Sequence, residues 1–476
     1  MKLRTPILLV LILAGPLIWV ACGGNGPSAG GGIGGTGVTS AGVVTATGSI
    51  FVNGVKYETD TAAVRKEDRS FPADQLTEGM LVRVSGSIDT GGKTGTAGEV
   101  DVLIALRGVI EAVGDWNVII LGQHVQVEEE TLIDIGGTSL NFADLEAGDA
   151  VEVSGLIRPS GTIVAARVEV FNALPRDPKV AGAITEARNG EFRIGDLRVL
   201  FPKADLIGFE GEPQAGDYAE VLGELSGVLT LSARQVRKMD DLAVDSEDVE
   251  LEGYLDADML LISPLGPVTI IVNARTVYTG GAEDDLTPGV RLEAKGVLQG
   301  GDLLADSITF AEKIKVEAAL AGTDLDAGQI VLLNLPGLVV QAGGETRFQD
   351  RRSHEKHEFP AILETLTGNE WLWIKGRLVG GDGTLMATQI RIDAAPADLN
   401  TVVLNTPADE NSTGPDFKAA GLTVRTDPST AFENADGGDI QPSEFFELLT
   451  TGTFVRVRGR SVAADTVLAD QVSLEE

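Results

Sequence analysis

The chain has 476 residues, and its 71 acidic against 37 basic side chains give a formal charge of −34 with a single cysteine. That balance repels phosphate backbones and anionic headgroups, which argues against nucleic acid as a partner and favours cations and cationic surfaces. One thiol leaves no intrachain disulfide, so the fold has to be held by its core alone.

Lys2 and Arg4 precede an apolar run, Ile7 to Val20, that is broken by Pro16 and is short for a membrane span. This reads as a signal peptide over residues 1–21. It ends Leu17-Ile18-Trp19-Val20-Ala21-Cys22-Gly23, which resembles a lipobox with Trp19 where Leu is usual, and the resemblance implies lipidation of Cys22. An ordinary cleaved leader with an incidental cysteine is the alternative. Residues 22–41 are dominated by Gly with Ser, Thr and Asn, cannot repay their ordering entropy, and are expected to form a tether. The expected address is the cell envelope, with the membrane contacted through lipidated Cys22. Gly23 is no retention signal of the Asp type, and with that residue the lipoprotein resemblance implies the outer membrane.

Beyond the tether the chain repeats. The pattern L-x-x-G-x-x-ϕ-x-ϕ-x-G, where ϕ is apolar, runs Leu76, Gly79, Val82, Val84, Gly86 and then Leu145, Gly148, Val151, Val153, Gly155. It returns as Pro213, Gly216, Ala219, Val221, Gly223 and as Leu286, Gly289, Leu292, Ala294, Gly296. The last copies are Leu366, Asn369, Leu372, Ile374, Gly376 and Leu449, Gly452, Val455, Val457, Gly459. After each comes an Ala with an aliphatic residue three later: Ala97/Val100, Ala165/Val168, Ala233/Val236, Ala305/Ile308, Ala387/Ile390 and Ala469/Val472. Odd spacing puts such a pair on opposite faces of a regular strand, so that strand is either covered on both sides or bulged.

In the second copy Arg107–Val113, Asn117–Leu121 and His124–Thr131 read as three antiparallel strands. Asn141–Ala147 holds one helical turn ending at Gly148, and Val151–Val153 and Thr162–Val170 give two further strands. The expected fold is all-β: six tandem five-stranded OB-like barrels, each with one short helical turn between its third and fourth strands. A small open sheet stacked on its neighbours is the alternative. The predicted units are 42–103, 105–171, 179–239, 248–312, 314–394 and 400–475, strung in sequence on short polar connectors.

The lead Ile33-Gly34-Gly35-Thr36-Gly37, the stretch Gly48-Ser49-Ile50-Phe51-Val52-Asn53-Gly54-Val55-Lys56-Tyr57 and the G-x-x-V-x-V-x-G units resemble a family of secreted bacterial lipoproteins. Their repeated domain has no known function. The resemblance extends over nearly the whole mature chain, weakest at the sixth copy, and implies export and tandem barrels but no catalytic residue. Asn53-Gly54 also suits a type I′ hairpin turn on physical grounds.

Few groups suit chemistry. His354, His357 and Glu358 lie in Ser353-His354-Glu355-Lys356-His357-Glu358, which is a candidate metal site but not H-E-x-x-H, and Arg351-Arg352 beside it repels cations. A solvated charged loop is the simpler reading. Acidic clusters such as Asp324-Leu325-Asp326 and Glu283-Asp284-Asp285 read as turns rather than Ca²⁺ loops. Trp371 and Trp373 share one strand face and are the candidate ligand-stacking residues, although their alignment with the motif's flank makes core packing the better reading. No catalytic residue and no cofactor is expected. The leading expectation is a non-catalytic binding or adhesion protein with an envelope protein, glycan or cation as partner. An envelope spacer or assembly scaffold comes next, and a metal-dependent hydrolase centred near Glu345–Glu358 last.

Overall fold

The computed structural model describes residues 36–474 apart from 46–48, 115, 174–175, 228, 240–247, 312–313, 344–345, 351, 353–358, 369, 380–383, 395–397, 411, 413 and 435–437. It is an all-β protein whose strands form three large sheets.

The pattern's alternating apolar residues build a recurring hairpin. The strand Leu81–Ile88 pairs antiparallel with Thr94–Leu103, Ala150–Ile157 with Ile163–Phe171, and Tyr218–Gly227 with Thr230–Lys238. Arg291–Gln299 pairs likewise with Asp302–Phe310, Glu370–Val379 with Thr384–Ala394, and Phe454–Ala463 with Thr466–Leu474. Register slips at the closing glycine each time, between Ser85/Gly86, Ser154/Gly155, Leu222/Gly223, Lys295/Gly296, Lys375/Gly376 and Arg458/Gly459. A bulged residue absorbs the odd Ala-to-aliphatic spacing, so Ala97 and Val100, like Ala305 and Ile308, are both buried. The glycine is obligatory because the bulge drives the partner carbonyl against it. A Cβ there would run into Thr96 O at Gly86, Val164 O at Gly155, Leu304 O at Gly296 and Leu468 O at Gly459.

Five-stranded barrels follow from how the remaining strands join this hairpin. Asp248–Leu255 pairs antiparallel with both Arg291–Gln299 and Leu260–Ser263, the latter pairs with Gly266–Ile271, and that strand runs parallel to Asp302–Phe310, closing a ring. Ile314–Asp324, Gln329–Leu332, Val339–Gln341 and the hairpin 370–394 close another in the same order. Barrel interiors are packed with the pattern's apolar residues, Leu292, Ala294 and Ile308 in one case and Leu372, Ile374 and Ile390 in another.

Three expectations are corrected. The third strand is continuous only at Gln123–Ile135; elsewhere it is two short pieces, such as Val55–Glu58 and Ala63–Lys66, each parallel to a different half of the bulged last strand. Helical turns precede the pattern at Ala73–Gln75, Phe142–Asp144, Glu283–Asp285, Ala361–Glu364 and Pro442–Leu448, but there is none before the third copy. The reason is chemical: Leu76, Leu145 and Leu286 close their turns by donating N–H to Ala73, Phe142 and Glu283, whereas Pro213 has no N–H to give.

The third correction concerns the order in space. The units are not strung in sequence; their first strands pair across copies, two by two. Thr36–Val43 runs parallel to Asp248–Leu255, with Val38 opposite Asp248 and Ala41 opposite Leu251, so the first unit pairs with the fourth. Leu106–Val113 meets Lys179–Ala183, and Ile314–Asp324 meets Thr401–Pro407, both antiparallel. One core cluster accordingly spans Ala105 to Met239 and takes in Ile262 of the fourth unit, and another runs from Ile314 to Leu474. The Asn53-Gly54 turn has positive φ at both positions, as its sequence requires. Its asparagine also stitches the first seam: Nδ2 donates to Ser40 Oγ at 3.1 Å, Ala41 O at 3.1 Å and Glu250 O at 3.2 Å.

Candidate functional site

A cleft of about 1210 Å³ lies where the short hairpin Ala63–Lys66 and Arg69–Ser70 of the first unit meets the last strand of the second, with Phe71, Asp134, Arg167, Glu169 and Phe171 in its wall. Its floor is a network of charges that alternate on outward-facing strand positions. Arg107 is fully buried at 0 % exposure; Nε donates to Glu152 Oε2 at 2.6 Å, Nη1 to Asp177 O at 2.9 Å, and Nη2 lies 2.8 Å from Glu67 Oε1. Lys66 pairs with the other oxygen of Glu152, Arg176 with Glu67, and Arg167 with Asp134. Burial pushes the Glu67 carboxyl up, yet Arg107 and Arg176 outweigh it and hold it below the usual carboxylate range. Glu169 goes the other way: burial raises it, and Lys66 and Arg167 do not cancel that with Asp134 and Glu152 close by.

These groups mostly spend themselves on one another. In the cleft wall the Ser49 hydroxyl donates to Glu58 Oε2 at 3.0 Å, but among the described residues no histidine lines the cleft and no cluster of metal-ligating side chains is found. What the arrangement does is clamp the first unit onto the second and onto the connector at Arg176 and Asp177 that follows it. Burying it is tolerable because each guanidinium and carboxylate finds a countercharge.

Of the predicted site residues, Trp371 and Trp373 fall among the described ones. Cys22, His354, His357 and Glu358 lie outside the described residues. Trp373 is 1 % exposed, but it fills no barrel. Leu372 and Ile374 point into the fifth barrel, and Trp373 points away from it, beneath Arg391 at 5.1 Å and Lys315 at 5.9 Å from the ring centre. Glu130 of the second unit reaches the same place, 2.5 Å from Lys375 and 3.7 Å from Lys315. Trp373 is therefore closed to a ligand by the junction itself. Trp371 is half-buried and its Nε1 donates to Glu317 Oε2 at 3.3 Å.

Other residues went unremarked in the sequence. Trp116, 49 % exposed, lies in the turn before Asn117–Ile120 and stacks on Phe142 with ring centres 5.1 Å apart. On Phe454–Ala463, Arg456, Arg458 and Arg460 alternate with buried Val455 and Val457 and all three are exposed. Arg107 itself carried no sequence signal beyond a charge in an apolar strand. The signal that could have found Arg456, Arg458 and Arg460 is the pattern's own alternation, which sends the residue between the two ϕ positions outward.

With the fold in place, comparison with known proteins gives one family. The description "Domain of unknown function (DUF5666)" matches residues 37–101, 107–169, 265–309 and 408–473, half of the chain. The chain belongs to this family. The sixth copy, the weakest in the sequence resemblance, is matched, whereas the third and fifth are not. No curated protein matches the chain. Among solved structures, a deletion mutant of the single-stranded DNA binding protein from Thermus aquaticus aligns at 14% identity over 35% of this chain and 94% of that one, with a TM-score of 0.17. At that score the likeness carries no argument about fold or ligand.

Proposed function

We propose that this DUF5666 protein is a lipid-anchored, non-catalytic binding or adhesion protein of the cell envelope, built from six OB-like barrels and held to the outer membrane through Cys22. The observation that carries the reading is the two-by-two pairing of first strands, which joins barrels side by side into continuous sheets. Side-by-side pairing shortens the reach that six barrels in a row would have, which weighs against a spacer. It also multiplies outward sheet face, the surface on which barrels of this type present ligand-binding side chains. The ion clamp of the cleft is spent on assembly, so recognition falls to exposed faces.

Two measurements test it. Cells fed labelled palmitate should label the wild-type protein, and Cys22→Ser should abolish the label and release the protein from membranes; a soluble wild type without label overturns the anchor. Cross-linking in the native envelope should recover a reproducible partner. A protein that yields none, together with no ligand-induced stabilisation in thermal melts, would leave the scaffold role standing instead.

A further inference from the structure

The strand Phe454–Ala463 carries Arg456, Arg458 and Arg460 on its outer face, all three exposed. Alternate residues of a strand lie about 6.6 to 7 Å apart, so three guanidinium groups stand in a row roughly 13 Å long. Counter-charges are what a chain of net charge −34 supplies most readily, and elsewhere it does so: Arg83 holds Asp101, Arg198 holds Glu191, and Arg291 holds Glu252. Among the described residues none makes a side-chain hydrogen bond or ion pair to Arg456, Arg458 or Arg460. Asp427 acts on Arg460 only through space.

The residues directly opposite the row are uncharged, and the one acid at the bulge of the partner strand, the exposed Asp470, has no ion pair with the arginines. In register across the sheet, Arg456 lies between Asn405 and Ser473, Arg458 between Val403 and Gln471, and Arg460 between Thr401 and Leu468. One strand further out, Glu433 accepts a hydrogen bond from Gln471 Nε2 at 2.6 Å. Arginine at every position suits planar, two-pronged recognition of carboxylate or phosphate, which a lysine row would not give. Hydroxyl and amide side chains alongside suit sugar hydroxyls. There is no exposed aromatic in the row's flanks on which a nucleobase could stack, and the surrounding negative field penalises a polyanion as dense as nucleic acid.

We infer that the outer face of the sixth barrel, centred on Arg456, Arg458 and Arg460, binds an acidic polysaccharide, with the arginines on its anionic groups and Asn405, Thr401 and Gln471 on its hydroxyls. This inference rests on the binding role proposed above and names its partner. The sequence-level expectation of cationic partners follows from total charge; this face is a local exception to it.

The test uses the intact chain in detergent and fluorescent polygalacturonate oligomers, with neutral dextran, poly-glutamate and phosphatidylglycerol vesicles as the other arms. Wild type should bind polygalacturonate and not dextran, with affinity falling as salt rises. Each single Arg→Gln change should weaken binding roughly five-fold, as loss of an exposed ion pair does. The triple variant R456Q/R458Q/R460Q should lose it and keep the wild-type melting temperature. Equal binding by the triple variant, no binding by wild type, or stronger binding to poly-glutamate or vesicles than to the glycan overturns the inference. Cross-linking in the native envelope separates the two readings: a partner recovered equally by wild type and triple variant sinks this face and leaves the binding role intact.

Discussion

Arg107 shows how much a single side chain can decide. It stands on a strand of the second unit, is sealed by the hairpin of the first, and is held by Glu152 and Glu67 together with the carbonyl of Asp177. Removing one member of such a set leaves the others buried and unpaired. Arg107→Met should therefore lower unfolding free energy by about 3–5 kcal/mol, read from urea titration. Arg65→Met, at an exposed arginine that pairs with the half-buried Glu99 in a different sheet from Arg107, should change it by about 1 kcal/mol or less. A second residue-scale case is Glu293. It faces Glu252 directly across the strand pair, and burial, then Glu250 and Glu252, push its carboxyl well above 4.5 despite Arg377 and Lys295. A folded state that binds this proton more tightly than the unfolded chain gains stability on acidification. The gain is complete below 4.5 and is lost as pH rises through the raised value. Chemical denaturation at a series of pH values should show Glu293→Gln as flatter than wild type above pH 4.5 and more stable than it at pH 8. Glu67 and Glu130 act in the opposite sense: their carboxyls are depressed, and the stability they give fades as pH falls below 4.5.

At the scale of elements, the bulged hairpin is the unit of construction. Its closing glycine lies against the carbonyl that the bulge forces inward, so Gly296→Ala must push Leu304 aside or undo the bulge. The expected cost is about 2 kcal/mol or more, visible as a depressed melting temperature. Gly91→Ala, in open space in a neighbouring turn, is the matched control and should be close to silent. The same hairpin explains why its outward residue varies. The position between the two ϕ residues is Arg83, Glu152, Glu220, Glu293, Trp373 or Arg456. Inward positions must fill one shape of barrel, while outward ones face whatever lies next door. Glu152 and Trp373 meet a neighbouring unit, and Arg456 meets solvent.

For the molecule as a whole, the decisive contacts join segments far apart in the chain. Ser40 and Glu250 sit opposite each other in a parallel seam 210 residues long in sequence separation. Lys375 and Glu130 are joined across 245. Contacts of such range are slow to form because loop-closure entropy comes first, so the first and fourth units should associate late in folding. Tryptophan emission offers a readout. Trp373 is sealed at a junction while Trp116 is exposed, so acrylamide should quench Trp116 fluorescence in the native protein and reach Trp373 only on unfolding. A Trp19→Phe/Trp116→Phe/Trp371→Phe variant, which leaves Trp373 as the sole tryptophan, quenched as easily as wild type would contradict the sealed junction.

The residues themselves determined the repeat, the β class and the bulge. Apolar alternation, the fixed glycine and the odd Ala-to-aliphatic spacing are local constraints, and each follows from what one strand can pack against or leave room for. Pro213 determined locally, too, that its own turn could not close. Which barrel stands beside which was settled only by the tertiary structure. The first strands range from Lys179–Ala183 to the eleven residues of Ile314–Asp324 and offer the same backbone edge to any other strand, so partner choice depends on side chains brought in from elsewhere: Asn53 bridging Ser40 and Glu250, or Glu130 reaching Lys375. For the same reason the burial of Trp373 and the exposure of Arg456 could not be read from a pattern that treats their positions alike; the difference lies in the neighbour, and no single strand encodes its neighbour.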